Sequence, residues 1–411
     1  MRYKLSAPSQ VRATIELPAS KSISNRVLII HALAQNKGQL TNLSDCDDTR
    51  VMIAALNGEP HQEIDILAAG TAMRFLTAYL SVTPGNSTIL TGTTRMQQRP
   101  IRLLVDALRQ LGANIEYTAN EGYPPLRING TELRGSHISL QGNVSSQYIS
   151  ALLMIGPMLK KGLELNLNGE IISRPYIDLT LQLMQEFGAS AGWTTESTIH
   201  VAPTPYCGVD FTVESDWSAA SYWYQIAALA PEANITLNGL FHKSHQGDSR
   251  GAEVFARLGV ATEFTLEGIR LKKTETRPER LDEDFVDIPD LAQTLAVTCV
   301  LLDIPFRFTG LQSLKIKETD RINALKIELG KLGYVLRDEN DSILSWEGER
   351  CEPQTSPIID TYEDHRMAMA FAPAAFRYAE ICIAEPHVVS KSYPDFWKDL
   401  KKVGFGILPD D

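Results

Sequence analysis

The sequence predicts an α/β protein of two domains, each built from three repeated units. Three observations lead there. Glycines close five amphipathic segments at nearly even intervals, six segments apolar on every side alternate with them, and short strand-like runs fill the spaces between. The 411 residues also exceed the roughly 250–300 beyond which a single core stops growing.

The amphipathic segments set the period. LVDALRQLGANIEY, LTLQLMQEFGASA, GAEVFARLGVATEF, INALKIELGKLGYVL and FWKDLKKVGFGI each carry apolar residues at three- and four-residue spacing and then a glycine, as a helix closed by a left-handed residue requires. Those glycines are Gly112, Gly188, Gly259, Gly333 and Gly404, at intervals of 71 to 76 residues, and Gly58 after VMIAALN reads as a shortened first copy. Between them lie NRVLIIHALA, TAMRFLTAYL, SQYISALLMIGPML, SAASYWYQIAALA, DLAQTLAVTCVLL and HRMAMAFAPAAF, helices buried all round that start at Asn25, Thr71, Ser146, Ser218, Asp290 and His365. HISLQG, LELNLNG and ITLNG alternate like strands. Each unit thus holds one buried helix, one amphipathic helix and strands packed against them, a βαβαββ-like module. The first lobe is expected over residues 15–213, and the second over 1–14 plus 214–411.

Composition narrows the function. Apolar residues at 44 % and charged residues at 22 % are ordinary for a globular protein. A net charge of −11 argues against nucleic acid or an anionic membrane as the general partner, because both are gripped by excess Lys and Arg. The opening MRYKLSAPSQ lacks the apolar core of a signal peptide and no run of 18 apolar residues occurs, so a cytoplasmic location is expected. Cys46, Cys207, Cys299, Cys351 and Cys382 lie at least 31 residues apart, which reads as reduced thiols and no zinc site. His242 and His245 have ligand-like spacing without a third ligand nearby, and read as surface residues. GDSRG at 247–251 lacks the nucleophile-elbow pattern and reads as a loop.

Every buried helix opens on polar residues: SKSISNR, AGTAMR, SSQ, SDWSAAS, DIPD and EDHR. Helix N-termini carry unpaired N–H groups and about half a positive charge, so their convergence makes an anion site. The cations of RMQQR at 95–99, KIKETDR at 315–321 and SKS at 390–392 add to it. A lone Asp before a helix is ordinarily a cap, and Glu318 or Asp320 alone would merely answer a helix dipole. Recurrence at six helix starts favours a cleft between the lobes for a small substrate bearing phosphates or carboxylates.

SKSISNR, AGTAMRFL, RMQQRPI, SSQY, SRPYIDLT, IPD, KETDR, DHRMAM and KSYPDF, in this order from residue 17 to about residue 397, resemble the 5-enolpyruvylshikimate-3-phosphate synthase family. The resemblance implies a two-lobe enolpyruvyl-transferase-like fold with buried helices facing the cleft. It also implies transfer of the enolpyruvyl group of phosphoenolpyruvate to the 5-hydroxyl of shikimate 3-phosphate, with release of phosphate. Carried over by position, Lys21, Ser22, Arg26, Ser145, Ser146, Gln147, Ser173, Tyr176, Asp290 and Lys317 contact shikimate 3-phosphate. Lys21, Gly70, Thr71, Arg99, Gln147, Arg321, His365, Arg366 and Lys391 hold phosphoenolpyruvate. Asp290 takes the hydroxyl proton, and Glu318, with Lys21 competing for the role, acts at the methylene carbon. The resemblance implies a monomer with no metal and no cofactor, whose partners are the two small-molecule substrates, and a phosphoenolpyruvate seat open to glyphosate. Two positions depart from the family pattern, Ala68 where many members have Asn and Ser313 near another expected Asn.

Related readings fare worse. UDP-N-acetylglucosamine enolpyruvyl transferases resemble this fold but usually place a reactive cysteine in the loop that here reads TGTTRMQQR, and no cysteine lies between Cys46 and Cys207. RNA 3′-phosphate cyclases call for a more basic surface. A non-catalytic repeat scaffold would need no polar residues at six buried helix starts.

Overall fold

The computed structural model describes residues 1–57, 62–85 and 87–410; Gly58 lies outside the described residues. Twelve helices are present among the described residues: α1 Lys21–Leu33, α2 Asp47–Asn57, α3 Gly70–Ser81, α4 Arg102–Gln110, α5 Ser146–Ile155, α6 Arg174–Glu186, α7 Trp217–Leu229, α8 Gly251–Arg257, α9 Ala292–Leu301, α10 Arg321–Lys331, α11 His365–Phe371 and α12 Phe396–Lys402. Odd-numbered helices are the all-apolar segments; every residue of α9 and α11 is buried. Even-numbered helices are the amphipathic ones, α4 burying only Leu104, Val105, Ala107 and Leu108. Gly112, Gly188, Gly259, Gly333 and Gly404 all have positive φ, between 84° and 102°, which explains why the period is written in glycine.

The sheets repeat as faithfully as the helices. Glu63–Asp65 runs parallel to Ser87–Thr91, which pairs antiparallel with Leu126–Asn129 and through it with Asn114–Tyr117. The same one-parallel, two-antiparallel pattern recurs from Ser136–Gln141, Gln10–Glu16, Leu281–Asp284 and Ile358–Ile359. The remaining copy is reduced to one parallel pair, Leu40–Thr41 with Phe211–Thr212.

The chain forms two compact units, Ala19–Glu214 and Met1–Pro18 with Ser215–Asp411. The N-terminal strands join the later unit through pairing: Gln10–Glu16 runs beside Glu232–Asn238, and Arg2–Ser6 lies between Ile381–Ala384 and Gly406–Asp410. Each unit has one apolar core. In Ala19–Glu214, α1, α3 and α5 pack against one another, with α2, α4 and α6 around them.

Helix starts shift from the sequence expectation where a cap decides them. Ser20 Oγ accepts from Ile23 N at 3.4 Å, so α1 begins at Lys21 and the residues Lys21 to Arg26 form its first turns rather than precede it. Conversely, Pro289–Leu291 make a single 3₁₀ turn and α9 starts only at Ala292, so Asp290 caps no helix with its side chain. Residues 247–250, expected as a loop, form another 3₁₀ turn running into α8. His242 lies edge-on to Phe264, ring centroids 4.9 Å apart. Among the described residues no cluster of His, Cys, Asp and Glu could hold a metal ion, and no helix is long and apolar enough to cross a membrane. All five cysteines are free.

Candidate active site

In the unit Ala19–Glu214 the sequence-predicted residues sit at the N-terminal ends of α1, α3, α5 and α6 and on the segment after Met96. Lys21 Nζ pairs with Asp48 Oδ2 at 3.0 Å. Arg26, 3 % exposed, gives Nε to Thr180 Oγ1 at 2.7 Å, Nη2 to Ser150 Oγ at 3.1 Å and Nη1 to the Ser22 carbonyl at 2.8 Å. Its hydrogen-bond partners among the described residues are hydroxyls and carbonyls, and burial lowers its pKa to about 10. A buried guanidinium with neutral partners leaves its charge available to an anion. Tyr176 joins it through its carbonyl, 3.4 Å from Arg26 Nη2. Ser173, at φ +57°, is a left-handed non-glycine residue directly before α6, backbone strain at a candidate position.

The α3 end carries Gly70 and Thr71. Gln147 donates Nε2 to Thr71 Oγ1 at 3.3 Å, which ties α5 to α3. Ser145 Oγ caps α5 by accepting from Gln147 N, and Ser146 opens that helix half-buried. Arg99 lies so near Gly70 that a Cβ there would meet Nη1 at 2.5 Å.

In the other unit one carboxylate is gripped by three cations. Asp290 Oδ1 lies 3.1 Å from Arg321 Nη1 and 3.6 Å from Lys317 Nζ, and Oδ2 accepts from Arg366 Nη2 at 2.8 Å. Burial alone would raise the Asp290 pKa, but Arg366, Lys317 and Arg321 outweigh it and hold the carboxyl well below the usual range. Arg321, 1 % exposed, also gives Nε to Asp364 Oδ2 at 2.7 Å and Nη2 to Glu318 Oε2 at 2.9 Å. Its fork is therefore taken by Asp290, Asp364 and Glu318. Asp364 caps α11 through Arg366 N, His365 Nδ1 is 3.8 Å from Asp364 Oδ1, and Lys391 Nζ donates to the Glu363 carbonyl at 2.6 Å. Tyr222 OH lies 3.4 Å from Arg366 Nη1.

Sequence reasoning missed Asp48, Thr180, Ser150, Asp364 and Asp248. Ser150 and Thr180 had a signal, a hydroxyl inside an otherwise apolar face. Asp248, 5 % exposed, accepts from Ser218 Oγ through Oδ2, while Oδ1 has no hydrogen-bond partner among the described residues. Burial first, then Asp290, pushes its carboxyl from 3.8 up to about 7, against the opposing pull of Arg366 and Ser218, with Asp216 adding a further upward push. Between those two pH values the folded state binds a proton that the unfolded state has released, so stability falls as pH rises from about 4 to about 7. Asp248→Asn should flatten that slope, with its largest relative gain above pH 7. Melting temperatures of both proteins across pH 5–8 check this; parallel curves would refute it.

The sequence model of the EPSP synthase family (3-phosphoshikimate 1-carboxyvinyltransferase) matches residues 5–58 and 56–400. A 3-phosphoshikimate 1-carboxyvinyltransferase of Bacteroides fragilis is 74 % identical over 407 residues, covering 99 % of each chain. The chain belongs to the EPSP synthase family. A further member from Photobacterium profundum is 36 % identical over 422 residues, covering 96 % of this chain and 97 % of that one. Among solved structures, an EPSP synthase from Acinetobacter baumannii superposes with a TM-score of 0.79 at 20 % identity, covering 99 % of this chain and all of the other. The enolpyruvyl transferase NikO from Streptomyces tendae gives a TM-score of 0.69 at 15 % identity over 99 % of this chain and 98 % of its own. These two likenesses establish the shared fold.

Proposed function

We propose that the protein transfers the enolpyruvyl group of phosphoenolpyruvate to the 5-hydroxyl of shikimate 3-phosphate and releases phosphate. The observation that carries this reading, beyond family membership, is Asp290: an ionised carboxylate held by Arg321, Lys317 and Arg366. Asp290 accepts the hydroxyl proton as that oxygen bonds to C2 of phosphoenolpyruvate, while C3 gains a proton. The resulting tetrahedral intermediate then breaks its C2–O bond to phosphate and loses a proton from C3. Glu318, ion-paired with Arg321, suits removal of that C3 proton, and Lys21 suits its delivery. Lys21, Ser22, Arg26, Ser145, Ser146, Gln147, Ser173, Tyr176 and Lys317 bind shikimate 3-phosphate in this reading. Gly70, Thr71, Arg99, Gln147, His365, Arg366 and Lys391 seat phosphoenolpyruvate, whose planar carboxylate and phosphate suit guanidinium forks. Arg321, its fork occupied by carboxylates, orients Asp290 and Glu318.

The steps are proton transfers and anion stabilisation, which carboxylates, lysines and arginines supply; the reading therefore calls for no metal or cofactor, in a cytoplasmic monomer. Phosphate release should require both substrates together. Release with either one alone, or none with both, would overturn it.

Gly70→Ala puts a methyl group where Arg99 Nη1 now approaches, forcing the guanidinium aside. The expected result is a KM for phosphoenolpyruvate raised about tenfold, equal to roughly 1.4 kcal/mol of lost binding, with the KM for shikimate 3-phosphate little changed. Steady-state kinetics with each substrate varied in turn check it; an unchanged phosphoenolpyruvate KM would remove Gly70 from that seat.

A further inference from the structure

The segment that carries Arg99 is braced by two buried side chains from neighbouring helices. Arg74 of α3 reaches the Gly70 carbonyl with Nη1 at 3.0 Å, the Met96 sulfur with the same nitrogen at 3.7 Å and the Pro100 carbonyl with Nη2 at 3.4 Å. Tyr148 of α5 donates its hydroxyl to that same Pro100 carbonyl at 2.5 Å, and its ring centroid lies 5.9 Å from the Arg74 guanidinium carbon. Proline has no N–H, so this carbonyl is the only backbone hydrogen-bonding group Pro100 has. Two donors on it fix the Pro100–Ile101 peptide, one residue beyond Arg99. The ends of the segment are held as well, Arg99 N on the Met96 carbonyl at 3.0 Å and Ile101 N on the Gly122 carbonyl at 3.0 Å.

Tyr148 follows Gln147, whose amide holds Thr71. Adjacent residues of one helix therefore reach both sides of the Gly70–Arg99 approach. We propose that Tyr148 is a positioning residue for Arg99, its hydroxyl helping to hold the Arg99 guanidinium against Gly70, where that guanidinium meets phosphoenolpyruvate; this rests on the functional reading above. The hydroxyl bonds the Pro100 carbonyl and acts through that peptide. A rigid helix is a better base for such a brace than the exposed segment itself, since a guanidinium misplaced by a fraction of an ångström loses its bidentate contact.

Tyr148→Phe tests this with the ring and its packing on Arg74 kept. Losing one hydrogen bond to a positioning peptide should raise the KM for phosphoenolpyruvate about fivefold. The KM for shikimate 3-phosphate should stay within about twofold, since no shikimate contact is assigned to this segment. In an Arg99→Ala background, the added Tyr148→Phe should change the phosphoenolpyruvate KM no further, because the group it positions is gone. An unchanged KM in the single variant would overturn the proposal, as would an effect that persists undiminished without Arg99, the mark of general loosening. A wild type that releases no phosphate with both substrates would instead refute the functional reading, and this inference with it.

Discussion

Asp290→Asn should fold, bind shikimate 3-phosphate within a few-fold of the wild type, and turn over about 10² to 10⁴ times more slowly. The substitution keeps the shape and one acceptor oxygen but abolishes the basicity. In the native arrangement the carboxylate meets Arg366 at 2.8 Å and Arg321 at 3.1 Å, contacts that keep it ionised and fix the direction of its lone pairs. That grip has a chemical consequence: a carboxylate held so far into its charged form is a weak base in the ground state, and receives a proton only as negative charge leaves the attacking oxygen. A fall in kcat without a matching rise in the KM for shikimate 3-phosphate would place the loss in the transition state. Calorimetric binding and single-turnover phosphate release separate the two quantities, and near-wild-type turnover would remove Asp290 from the chemistry.

Arg321→Met should cost the fold as well as the activity. Arg321 is 1 % exposed and its main partner Asp364 is fully buried, so removing the guanidinium leaves an uncompensated carboxylate inside the protein. Breaking a buried pair in this way costs about 3–5 kcal/mol, or roughly 6–20 °C in melting temperature for a domain of about 200 residues. Activity should fall in parallel with the loss of orientation at Asp290 and Glu318. Adding Asp364→Asn should recover part of the stability and none of the activity, because the second change removes the stranded charge and restores nothing to Asp290. Melting curves for the single and double variants check this. A double variant no more stable than Arg321→Met would show that the Arg321–Asp364 pair is not what holds this region.

The repeat was legible because it is written in residues with few alternatives. A helix that ends in a left-handed turn strongly favours glycine, and five such glycines spaced by one module length announce five modules, to which the six buried helix segments add one more. The all-apolar helices were equally plain, since a segment such as α9 with every residue buried has no polar face to hide. Helix starts were less so: whether Ser20 or a later residue caps α1, and whether Pro289 opens a 3₁₀ turn or a helix, depends on backbone geometry that several residue types satisfy. At the site, motif order brought forward Lys21, Arg26, Asp290, Arg321 and Arg366. It could not bring forward their partners. Thr180 is 154 residues from Arg26 and Asp364 is 43 from Arg321, pairings that exist only after the helices pack. Asp248 carries no sequence mark at all, because its character comes from being shut away beside other charges.

Which bond of phosphoenolpyruvate breaks is the most direct test of the account. With the bridging oxygen between carbon and phosphorus labelled as ¹⁸O, addition at C2 followed by elimination sends the label out with the phosphate. The enol ether product would then be unlabelled. Run in deuterated water, the same reaction should place deuterium on the C3 methylene, since a proton is added there and another removed. Mass spectrometry of both products reads the two outcomes at once. Labelled phosphate with deuterium at C3 is the predicted result; label retained on the three-carbon fragment, the signature of cleavage between phosphorus and oxygen, would contradict it.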